Sequence, residues 1–140
     1  MNILSNKRFI TSSLLLYAAL IFLLSHMTFQ DSGSGFVIND KVLHFTEYAL
    51  LGYLLMRYFF INKEKEPGSA AFLSLAAGSL YAASDEIHQG FVGYFSSGIF
   101  GGVRNPDALD FIADITGVAA AAVLYIIINR FKIPKTKMQE

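Results

Sequence analysis

The chain has 140 residues, 54% of them hydrophobic and 16% charged, with a mean hydropathy of +0.45. Soluble domains carry nearer ~25% charged residues, so this composition argues against an ordinary soluble core and for a membrane protein. The formal net charge is zero, the lack of any basic helical stripe argues against nucleic acid as a partner, and the absence of cysteine excludes disulfides and thiolate metal sites.

Four stretches approach the ~20 apolar residues that a helical span needs. The first, FITSSLLLYAALIFLLSHM (9–27), follows Lys7 and Arg8 as a signal peptide would, but Ser25-His26-Met27 is a poor cleavage site and the stretch reads as an uncleaved helix. The second is VLHFTEYALLGYLLMRYFFI (42–61) and the third SAAFLSLAAGSLYAASDEIHQ (69–89). Next comes GFVGYFSSGIFGGV, whose glycines are expected to break the helix and whose aromatic residues favour an outer loop dipping into the headgroup layer; a disordered loop is the alternative. The fourth span is LDFIADITGVAAAAVLYIIIN (109–129). The expected architecture is all-α, a single domain over 1–140 forming an integral membrane four-helix bundle, with small residues drawing the third and fourth helices together.

Charge orients this bundle. Lys7, Arg8, Arg57, Lys63, Lys65, Arg130, Lys132, Lys135 and Lys137 make nine of the eleven basic residues, and all flank what would be the same side. The positive-inside rule then places both termini in the cytoplasm, in a multi-pass protein of the inner or plasma membrane. Polar residues of three helices gather at the opposite, outward end. Asp40, Lys41, His44, Glu47 and Tyr48 follow three- and four-residue steps on the second helix, as do Tyr81, Ser84 or Asp85, and His88 or Gln89 on the third, and Asp107, Asp110, Asp114 and Gly117 on the fourth. Lipid cannot solvate such stripes, so they are expected to line an outward-facing polar pocket.

The segments DKVLHFTEYALLGYLL (40–55), SDEIHQGF (84–91) and RNPDALDFIADITG (104–117) resemble the three signatures of the VanZ-like family, in the same order and at helical spacing, over about positions 38–125. The resemblance implies a small membrane protein acting at the cell envelope, the family being named for a member linked to resistance to the lipoglycopeptide teicoplanin. Its motif positions fall on Asp40, Lys41, His44, Glu86, Gln89, Arg104, Asp110 and Asp114. Position 114 is Asp where the pattern often has Asn, and the glycine-rich stretch before Arg104 is longer than the pattern.

Seven carboxylates against Lys41 and Arg104 leave the outer zone at −5 with neutral histidines, an excess that low dielectric does not tolerate uncompensated. Three resolutions compete. In the first, His44, Glu86, Asp110 and Asp114 are catalytic on a lipid-linked substrate, either through a divalent metal held by His44, His88, Glu86 and Asp114, or with His44 as general base and Lys41 and Arg104 clamping phosphate. In the second, the pocket binds an envelope lipid headgroup or a lipoglycopeptide through Asp40, Lys41, Gln89 and Arg104, with carboxylates meeting ammonium or sugar hydroxyls. In the third, Lys41–Asp40, His44–Asp114 and Arg104–Asp107 only fix helix register. Binding is the reading this sequence favours, with membrane lipids as surroundings and partners.

Overall fold

The computed structural model describes residues 6–25, 40–95 and 107–129, and every regular element among them is helical. Helix α1 (Lys7–Leu24) begins at Asn6, whose side chain accepts the Arg8 amide at 2.9 Å and so satisfies one of the helix's open donors. Helix α2 (Asp40–Arg57) runs into a π-helical turn, Tyr58–Asn62. Helix α3 (Pro67–Phe95) opens on a proline, which loses no hydrogen bond in a first turn. Helix α4 (Ala108–Asn129) is capped by Asp107, whose carboxylate accepts the Leu109 amide at 2.8 Å.

These are the four helices expected, with one boundary corrected. The break anticipated at Gly90 does not occur, and α3 continues through Gly90 and Gly93 to Phe95. A glycine costs a helix interior only about 1 kcal/mol, too little to end it. The rest of the glycine-rich stretch, with Arg104, lies outside the described residues.

The closest helix contact is also not the one expected. Gly117 of α4 lies against the α2 backbone, where an added Cβ would sit 2.9 Å from Ala49 N and nearer still to the Phe45 carbonyl oxygen. Gly52 of α2 returns the contact: its Cβ would fall 2.8 Å from Val118 Cα. The small residues of α3 serve a looser purpose, Gly78 making room for the Val118 side chain. Thus α2 and α4 pack backbone to backbone, the geometry that small residues permit in membranes. Around this seam lie two apolar clusters, one of Ile21, Tyr48, Leu51, Leu55, Ala82 and Val118, the other of Met56, Ala70, Ala122 and Tyr125.

Helix α1 attaches by fewer contacts. Tyr17 donates to the Glu47 carbonyl at 3.1 Å and Tyr81 to the Ala18 carbonyl at 2.6 Å. At its N-terminal end Asn62 donates to Lys7 O and Thr11 Oγ1, both at 2.8 Å, while Lys7 pairs with Glu64 at 2.7 Å.

Polarity is inverted relative to a soluble protein. Leu16, Phe72 and Leu80 are 72%, 70% and 73% exposed, whereas His44, Asp85, Glu86, Gln89, Asp110 and Asp114 are buried. An apolar exterior around a polar interior suits lipid as the surrounding solvent. Helices α1 and α4 are long and apolar enough to cross a bilayer. Helices α2 and α3 carry the polar stripes, Asp40, Lys41, Glu47 and Arg57 on one and Asp85 and Glu86 on the other, and do not reach that criterion.

A buried acid and imidazole cluster

The N-terminal ends of α2 and α4 and the C-terminal half of α3 meet at one end of the bundle. Three-to-four-residue spacing places Lys41, His44 and Tyr48 on the face of α2 that looks at α4, and Asp110, Asp114 and Gly117 on the answering face. Lys41 Nζ donates to Asp107 Oδ2 at 2.5 Å and also to Asp110 Oδ1. One turn deeper, His44 Nδ1 lies 3.0 Å from Asp114 Oδ1 and Nε2 lies 3.6 Å from Asp110 Oδ2. Neutral imidazole donates from one nitrogen only, so a proton on Nδ1, given to Asp114, leaves Nε2 with its lone pair.

Helix α3 supplies the third wall. Glu86 Oε2 accepts the Asp107 backbone amide at 2.9 Å, joining α3 to the start of α4. Gln89 Nε2 donates to Asp85 Oδ2 at 3.1 Å, one turn away on the same helix. At the mouth, the Lys41 ammonium and then the Leu109 amide hold the Asp107 carboxyl below the usual carboxylate range.

The network does not close on itself. Asp85 Oδ1, Glu86 Oε1, Asp114 Oδ2 and the Tyr48 hydroxyl are buried with no hydrogen-bond partner among the described residues. Beside them a small cleft, partly open to the surroundings, is lined by Ile21 and Leu24 of α1 and its capping Ser25, Leu43, His44 and Glu47 of α2, and Asp85 and Gln89 of α3. Apolar and polar side chains therefore line one small space.

Of the residues singled out from sequence, Lys41, His44, Glu86, Asp110 and Asp114 come together, Gln89 borders the cleft, and Asp40 sits exposed at the rim. His88 lies apart from them. Its ring stacks on Phe22 of α1 at 4.5 Å between centroids, and it joins neither group of metal-competent side chains among the described residues. Those groups are Asp40, His44 and Asp110, and His44, Glu86 and Asp114, each offering ligand atoms within 4.8 Å of one another. Lys41, expected to clamp phosphate, is paired here with two carboxylates, Asp107 and Asp110. Glu47, Asp85 and Asp107, placed on the polar stripes from sequence but given no catalytic, ligand-binding or metal role there, also belong to the site or its cleft. Two signals were available: Asp85 stands four residues before Gln89, and Asp107 occupies the residue before a helix, where aspartate caps.

Chemically, the cluster offers an oriented imidazole, two carboxylate oxygens beside it that lack donors, and an adjacent cleft. Such a set can accept hydrogen bonds, hold a cation, or take a proton from a bound group. A family model described as VanZ-LLP1, VanZ/LLP1, matches residues 3–129. No curated protein and no solved structure gives a significant match.

Proposed function

The chain belongs to the VanZ/LLP1 family and is a membrane protein of the VanZ type, and from that premise we propose that it binds the headgroup of an envelope amphiphile, a lipid or a lipoglycopeptide, in the cleft beside His44. One observation carries this reading: the cleft has an apolar lining of Ile21, Leu24 and Leu43 and a polar lining of Glu47, Asp85 and Gln89, and Asp85 keeps one buried oxygen without a hydrogen-bond partner among the described residues. A hydrocarbon segment suits the first lining and donors such as ammonium or sugar hydroxyls suit the second. Register pairs alone would leave no such oxygen, since an unsatisfied buried acceptor costs about 1–3 kcal/mol. The distribution of basic residues supports a cleft that opens at the outer leaflet of the plasma or inner membrane, where a teicoplanin-type ligand would arrive.

Purified protein in detergent, challenged with phosphatidylethanolamine, phosphatidylglycerol and a teicoplanin-type lipoglycopeptide, tests the proposal by native mass spectrometry and thermal shift. Retention of at least one of these is expected, with a roughly tenfold loss in Asp85→Asn, whose amide replaces an open acceptor. Equal retention by both proteins, or by neither, would sink it.

A second reading has its own observation. The 3.0 Å contact between His44 and Asp114 orients the imidazole as in a general base, which fits a membrane-embedded hydrolase or transferase on a lipid-linked substrate. Product formed from such a substrate and lost in His44→Ala would favour it.

A further inference from the structure

We propose that His44, Glu86 and Asp114 form a divalent cation site at the back of the cleft. Each of the three helices α2, α3 and α4 supplies one ligand, and the ligand atoms lie within 4.8 Å of one another in a fully buried group. The independent observation is the pair of orphan oxygens. Glu86 uses Oε2 on the Asp107 amide and Asp114 uses Oδ1 on His44, and in each case the other oxygen is buried with no partner among the described residues. Both side chains are more than nine-tenths buried.

Charge accounting favours an ion over a proton. Lys41 is shared by Asp107 and Asp110 and so answers neither Glu86 nor Asp114, and these two beside a neutral imidazole carry two negative charges, the charge of one divalent ion. A proton on either carboxyl answers one of those charges and leaves the other. A water would meet the lone pairs without answering the charge. The 3.0 Å between His44 Nδ1 and Asp114 Oδ1 serves as a hydrogen bond in the empty protein and suits an edge of a coordination shell, since ligands ~2.1 Å from a zinc sit only ~3.4 Å apart. One nitrogen and two carboxylates suit zinc or manganese better than calcium or magnesium, which favour oxygen alone.

Three protein ligands leave a coordination position open, and His44 also lines the cleft. Resting on the headgroup-binding reading, the ion's further role is to take a phosphate oxygen of the bound amphiphile, work for which Lys41 is not available. The charge of the ion then turns an acid-rich cleft into one that accepts a phosphate.

The test uses the full chain in detergent, titrated with manganese and zinc by calorimetry and assayed for bound metal. One ion per chain is expected, with at least a tenfold affinity loss in Glu86→Gln and in Asp114→Asn at unchanged monodispersity. Spin-echo spectra of the manganese-loaded wild type, which need no variant, should show one coupled nitrogen, and phosphorus coupling on adding phosphatidic acid but not inorganic phosphate. No ion bound below 100-fold excess, or affinity that follows Asp40→Asn and not Glu86→Gln, overturns the site. Metal bound without phosphorus coupling to lipid overturns the phosphate role alone. Phosphatidylethanolamine or lipoglycopeptide binding by a protein that takes up no ion would overturn the cation site and leave the headgroup reading standing.

Discussion

Asp107 joins three helices through one residue. Its amide reaches Glu86 of α3, its carboxylate caps Leu109 of α4, and the same carboxylate meets Lys41 of α2. Because that carboxyl is held below its usual range, its folded form binds a proton less readily than its unfolded form. The resulting stability is fully present above the ordinary aspartate value of ~3.9 and disappears as pH falls through the lowered one. Asp107→Asn keeps an oxygen for the cap but removes the titrating charge. Thermal unfolding in detergent from pH 6 down to pH 2.5 should therefore show a smaller acid loss in the variant than in the parent. Parallel curves would mean that Lys41 gains nothing from this partner.

At the scale of elements, the α2–α4 seam sets how near the acids of one helix come to the base of the other. A methyl at position 117 would run into the Phe45 carbonyl, an atom of a helix backbone that cannot step aside. Gly117→Ala is expected to destabilise the protein by about 1–3 kcal/mol through overpacking, and Gly78→Ala by less, because its neighbour is a side chain. Chemical unfolding followed by tyrosine fluorescence would show it; a Gly117→Ala chain as stable as the parent would contradict the seam. Much of this arrangement was legible beforehand. Asp40, Lys41, His44 and Tyr48 are spaced at helical steps, as are Asp110, Asp114 and Gly117, and periodicity of that kind states which face turns inward. It does not state which face meets which. Gly52 and Gly117 look no different in sequence from Gly78 or from Gly90, which sits inside α3 without ending it. The turning of His88 toward Phe22 was equally hidden, because positions 88 and 89 both continue the stripe and only the position of α1 separates them.

For the whole molecule, the polar cluster lies at one end and the Lys7–Glu64 pair, with Arg57 and Lys63 nearby, at the other. The positive-inside rule directs the basic end to the cytoplasm. In intact cells a membrane-impermeant maleimide should label Ser25→Cys, beside the cleft, and spare Lys65→Cys until the membrane is opened. The reverse pattern would turn the protein over and move the cleft inside.

The contact of Gly52 with Val118 also has a meaning in time. The two residues are 66 positions apart, so at ~5–20 residues per second the ribosome finishes the partner of α2 on the order of 3–13 s after α2 itself. For most of that interval Lys41 and His44 have been synthesised while Asp110 and Asp114 have not, and Asp85 and Glu86 are made before α4 is there to meet them. Each charge left facing lipid would cost about 2.5–3.5 kcal/mol. The nascent α2 and α3 therefore need a wet or protein-lined environment until α4 is made, and α4 is the keystone of the polar cluster.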